Sequence, residues 1–300
     1  MSISSRSGVA GGLIASLLAA GAIAAGCGSS SSSGSSTSAG GIGPVAEAAD
    51  VTARESGAKV ALSGTVRSSS LGVSLTISGT GAFNFAGHEG TFALSLGGLP
   101  TTAQQALHAS SLNMTEVFKD GSAYVSSPLF AGKLPHGAKF VKINLSQVGK
   151  TLGLNPSSLT GGGADPTQYL TELRSAGANP KVVGHDTIRG VATTRYAATV
   201  DLQKALEAQG SSSAQAKAAL EKISAAVGGS LPVEAWIDDK GLLRKVSVKL
   251  NENASGQTIA AVVNAEYFDF GTTPAVTAPA SSEAYDVTGQ VGGSLSGSGL

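Results

Sequence analysis

The chain has 300 residues, 20 Lys and Arg against 20 Asp and Glu, and a single cysteine. The even charge balance leaves no basic surface for a phosphate backbone and points away from nucleic acid as a partner. One cysteine allows no internal disulfide, so whatever folds has to rest on its core alone.

Arg6 and the amino terminus precede a run of apolar and small residues, Gly8 to Gly26. That is the order of a cationic n-region and an uncharged h-region in a secretory signal. The run ends in Ala24-Ala25-Gly26-Cys27, which resembles a lipobox: small residues admit a signal peptidase, and the thiol of Cys27 then takes a diacylglyceryl group with acyl chains such as palmitate. The competing reading is a retained transmembrane helix over 8–26. The many Gly and Ala and the absence of any Lys or Arg between Arg6 and Arg54 favour the lipoprotein signal. Residues 1–26 are therefore read as signal, and 27–43 as lipidated cysteine plus a Ser/Gly tether reaching roughly 20 to 24 Å. Residues 44–270 are read as one domain and 271–300 as a partly disordered C-terminal extension.

Pro44 to Ser56 reads as a helix with Val45, Ala48, Ala49 and Thr52 on one face, ended by Gly57. The period then changes from 3.6 to 2. Val60, Leu62 and Val66, then Val73, Leu75 and Ile77, alternate with polar residues. Phe83 and Phe85, and then Phe92, Leu94 and Leu96, continue the apolar face through further strands of an antiparallel meander. Strands at 114–119 and 122–126 flank Asp120-Gly121, a two-residue hairpin turn, and another strand runs from Lys139 to Leu145.

A short helix is expected over 146–154, and Asp165-Pro166-Thr167-Gln168 opens a second one with Leu170 and Leu173 on its apolar stripe. Strands follow near 181–189 and 191–200. Next come a helix capped by Asp201 that carries Leu206 and another that carries Leu220 and Ile223. Strands over 233–238, 242–250 and 258–270 close the domain. The expected fold is α+β: a strongly curved antiparallel sheet of about ten strands, with helices across its concave face.

Four stretches carry a family resemblance: Val117 to Tyr124, Phe140 to Ser146, Gly184 to Gly190 with Thr193 to Tyr196, and Val233 to Asp238. Together with the lipobox and the order of elements, they resemble the LppX/LprA/LprF/LprG lipoproteins of mycobacteria and other actinobacteria over roughly 45–287. The resemblance implies a half-barrel similar to the lipoprotein carrier LolA, holding acyl chains of lipids or glycolipids in a cavity. It also implies a monomeric carrier or chaperone, anchored through Cys27 to the extracytoplasmic face of the cell membrane, with a membrane transporter as a further partner.

The cavity is expected to be lined by Leu62, Val73, Leu75, Ile77, Phe92, Leu94 and Leu96 of the sheet and by Leu170, Leu173, Leu206, Leu220 and Ile223 of the helices. The alternative is that the same residues form a filled core and that the domain is an envelope interaction module. No catalytic, metal or cofactor site is expected. His88, His108, His136 and His185 are scattered, no Gly-x-Ser-x-Gly elbow accompanies His185-Asp186, and Gly79-Thr80-Gly81 reads as a bend in a curved sheet. Trp236 falls on the opposite side of its strand from Val233, Ala235 and Ile237, where it is either covered or docks on a membrane.

Overall fold

A computed structural model of the chain describes residues 43–69, 72–130, 132–152, 180–201, 229–254 and 257–290. The chain opens with α1 (Gly43–Ala53) and then β1 (Gly57–Ser68), β2 (Val73–Asn84) and β3 (Glu89–Gly97). A short α2 (Thr101–Leu107) leads to β4 (Leu112–Lys119), β5 (Ser122–Ser126), β6 (Phe140–Asn144) and α3 (Leu145–Leu152). After it come β7 (Lys181–Ile188), β8 (Val191–Asp201), β9 (Ser230–Asp238), β10 (Leu243–Ala254), β11 (Gln257–Phe268) and a three-residue β12 (Ala284–Asp286).

All the strands join one open sheet in the order β12-β6-β5-β4-β3-β2-β1-β11-β10-β9-β8-β7. Every neighbouring pair is antiparallel except β12 on β6, and the two edges, β12 and β7, are not paired with each other. The path explains the order. β1 to β6 step outward as successive hairpins, the chain reappears at the far edge as β7, and β7 to β11 step back until β11 pairs with β1 at the centre. The result is the open half-barrel of an α+β fold.

The sheet has twelve strands rather than about ten. Phe83 lies inside β2, and Phe85 sits in the turn after it with its ring buried 6.0 Å from that of Phe83. Residues 284–286, in the stretch expected to extend beyond the domain, add β12 to the edge beside β6, where Thr288 Oγ1 accepts a hydrogen bond from the Asn144 amide at 2.8 Å. α2 is a further addition. The helices expected around 165–176 and over 201–227, with Leu170, Leu173, Leu206, Leu220 and Ile223, lie outside the described residues, as do Ala24, Ala25, Gly26 and Cys27.

α1 forms where the 3.6-residue spacing places it. Val45, Ala48, Ala49 and Thr52 are buried, and the first three join Val60, Phe83, Phe92, Phe118, Leu243 and Tyr267 in the main core. Thr52 is accommodated there because its Oγ1 accepts the Leu243 amide at 3.1 Å. The face of the sheet that receives α1 is called the core face below.

Along the centre of that face, glycines seat large neighbours. A Cβ on Gly79 would stand 2.5 Å from Leu94 Cδ2 and one on Gly90 would stand 2.5 Å from Phe83 Cδ2, while the Phe92 ring lies directly over Gly81. A strand without side chains at these points lets the sheet bend toward the core, and the rings and branches of the next strand fill the space.

Candidate functional site

The core face reads as rows of residues running across the strands. Ala58, Phe83, Gly90, Phe118, Ala123 and Ile143 form the row nearest α1, and every one of them is buried. The next row runs Tyr267, Val60, Gly81, Phe92, Glu116, Val125 and Val141. It is apolar except for Glu116 and the hydroxyl of Tyr267.

Burial is uneven in the rows beyond. Leu62, Leu94 and Met114 in the third row are half-buried; so are Ile77 and Val248 in the fourth, where Leu96, Leu112 and Val233 are buried, and Val66, Leu75, Ala261 and Leu250 in the fifth. Val263, opposite Gly64 in the fourth row, is 37% exposed. One end of the core face is thus a packed interior, while toward the other end β1, β2, β10 and β11 carry an apolar surface only partly covered.

The expected cavity residues divide in burial. Leu62, Val73, Leu75, Ile77 and Leu94 share the core face and are half-buried, whereas Phe92 and Leu96 are buried. Phe92 is taken up by the packed end, where its ring meets that of Phe118 edge-on at 6.1 Å. Glu116, on the same face, was not among the expected residues. Burial pushes its carboxyl pKa above the ordinary value of 4.5.

The outer face is polar and laced with ion pairs. Trp236 lies there, 6% exposed, with its indole N–H donating to Asp186 at 2.8 Å and the Lys245 ammonium 5.0 Å from its ring centre. The indole is therefore covered by side chains of neighbouring strands. Asp186 turns to this face while His185 meets Thr194 on the other, because successive strand residues point in opposite directions. The two do not form a catalytic pair.

Asp238 is spent on structure. Its carboxylate accepts the amides of Lys240 and Leu242 at 2.9 Å and the Arg244 guanidinium at 2.7 Å, which fixes the β9–β10 turn. His88, His108 and His136 occupy left-handed backbone positions in turns. Among the described residues, no three His, Cys, Asp or Glu side chains group as a metal site would require.

Small outer-face residues, Thr80, Ala82, Thr91, Ala93 and Thr115, leave an open hollow of about 500 Å³ that Lys59 and Phe268 border. Sequence alternation marks these positions as wet but cannot show that they adjoin.

No protein-family model matches the chain, and no curated protein matches it. Among solved structures it is similar to LprF from Mycobacterium bovis at 13% identity and a TM-score of 0.44, over 81% of this chain and 100% of that one. It is similar also to the Mycobacterium tuberculosis lipoprotein LppX at 12% identity and a TM-score of 0.43, over 79% of this chain and 97% of that one. A LolA superfamily protein from Nitrosomonas europaea matches at 9% identity and a TM-score of 0.29, over 78% and 93% of the two chains. LprF and LppX are two of the lipoproteins that the sequence resembles.

Proposed function

We propose that the chain is a lipid-anchored envelope protein that holds the acyl chains of a lipid or glycolipid against the core face of its sheet, as a monomeric carrier or chaperone without catalytic activity. The observation that carries this reading is the half-covered apolar patch on the core face. Leu62, Leu75, Ile77, Leu94 and Val263 are large apolar side chains on the inward face of a sheet, where closely packed interiors leave such groups covered. Acyl chains would cover them at a gain of roughly 25 cal/mol per Å².

In this reading Cys27 supplies the membrane attachment on the extracytoplasmic side, the stretch 28–43 spaces the domain from the bilayer, and a membrane transporter receives or supplies the lipid. No helix among the described residues is long and apolar enough to cross a membrane.

The burial of Phe92 and Leu96 favours a second reading, in which the core is filled and the domain is an interaction module displayed from the membrane. Solvent extraction and mass spectrometry of the purified full chain separate the two. Stoichiometric co-purifying acyl lipid, beyond any chains on Cys27, is expected for the carrier, and its absence under several expression conditions refutes it. For the anchor, Cys27→Ala should move the protein to the aqueous phase on detergent partitioning. Unchanged partitioning would show that the run 8–26 itself holds the membrane.

A further inference from the structure

Glu116 sits where a charge is costly. On the core face it stands between Phe92 of β3 and Val125 of β5, and its same-face neighbours along β4 are Met114 and Phe118. Across β1 to β6 it is the one charged residue on that face. Lys59, Arg67, Glu89, Lys119 and Lys142 all fall on the other side of their strands. There Lys59 pairs with Asp269, Lys119 with Glu89 and Lys142 with Asp286, and among the described residues no cation pairs with Glu116.

Its place in the pattern of burial is equally particular. The row on one side of Glu116 is wholly buried, and on the other side Met114 and Leu94 are half-buried, followed by half-buried Ile77 and Leu75 on β2 and by buried Leu96 and Leu112 on β3 and β4. It therefore marks the end of the apolar space, where a chain lying over Leu75, Ile77 and Leu94 meets its first polar group.

The geometry points to Glu116 as the group that reads the polar end of the bound lipid, accepting a hydrogen bond from a hydroxyl of an uncharged lipid and turning away anionic headgroups. This rests on the carrier reading above and specifies its ligand. A half-buried carboxyl among apolar neighbours is partly desolvated, and a ligand hydroxyl that bonds it offsets that cost on binding. A phosphate or carboxylate in the same place would face the carboxyl with no cation of β1 to β6 to balance it. Burial raises the Glu116 pKa; the protonated group still hydrogen-bonds a hydroxyl, but only the ionised group repels an anion, so the discrimination is read at a pH well above the ordinary carboxylate range.

The test uses two probes with identical chains, 1,2-dioleoylglycerol and 1,2-dioleoyl phosphatidic acid, which differ only in hydroxyl against phosphate. Each is titrated into the purified full chain as a competitor of a fluorescent acyl probe. The wild type is expected to favour the diacylglycerol by about tenfold or more, the effect of one buried hydrogen bond gained against one repulsion avoided. Glu116→Leu should lose most of that preference. Glu116→Gln, which keeps the shape and hydrogen-bonding capacity, should hold diacylglycerol within about threefold of the wild type while admitting phosphatidic acid. Urea midpoints of both variants establish that they are folded. Equal preference in the wild type and both variants overturns the assignment of Glu116 and leaves the carrier standing. A wild type that takes up neither lipid overturns the carrier reading and this inference with it.

Discussion

Leu75→Arg separates an open apolar cleft from a filled core. Leu75 is half-buried, faces Val66 across the β1–β2 pair and has Val73 and Ile77 as its same-face neighbours. Full burial of a leucine is worth about 1.5–3 kcal/mol, so a half-covered one contributes about 1. Arginine recovers part of this through its methylenes while its head reaches water over the exposed end of the sheet. The expected net loss is therefore about 1 kcal/mol, small against a total stability of about 5–15. In a closed core the same guanidinium would be stranded, at a cost of several kcal/mol. With a urea slope of about 3 kcal/mol/M, the midpoint falls by about 0.3 M in the first case and by more than 1 M in the second. Lipid content, measured on the same preparations, is expected to drop in the variant. A variant that unfolds, together with a lipid-free wild type, would falsify the cleft.

Gly81→Leu forces the Phe92 ring out of its seat and should cost about 1–3 kcal/mol by overpacking, read as a lowered urea midpoint. Asp238→Ala strips two amides and a guanidinium of their shared acceptor and should cost about 2–4 kcal/mol, read as a lower melting temperature. Glu116→Gln should change the pH dependence of stability. The folded-state pKa of Glu116 lies above 4.5, so its contribution is fully present below about 4.5 and is lost as pH rises through the raised value. The stability of the variant relative to the wild type should accordingly grow across that interval and then level off, and a flat difference from pH 4 to 8 would refute it.

Strands were legible wherever one face is wet, because alternation is a property of a single segment. Val60 to Val66 and Val73 to Ile77 carry it openly, as α1 carries the 3.6-residue period in Val45, Ala48, Ala49 and Thr52. β12 has no such signal. Three residues paired in parallel with a strand more than a hundred positions earlier show nothing local. α2 has no buried side chain among its described residues and displays no apolar stripe.

The site was less legible than the fold. Register decides which residues of different strands share a row, and only that placement sets Phe92 over Gly81 in the packed end or Glu116 among apolar neighbours. Within β4, Glu116 reads as one more polar residue in a strand that carries Asn113, Thr115 and Lys119 as well.

The pairing of β1 with β11 at the centre of the sheet has a kinetic consequence. Lys59 and Asp269, joined across this seam, are 210 residues apart in the chain. β1 to β6 can assemble through local hairpins as the chain emerges from its N-terminus, but the second edge of β1 has no partner until β11 arrives. Closing so long a loop adds entropy only logarithmically, yet such non-local pairing is slow. Meanwhile an unpaired central edge beside an apolar face is a template for pairing with other chains. Until β11 arrives this half-sheet is the species that needs protection, and a truncation ending before β11 is expected to aggregate rather than to leave a smaller soluble domain.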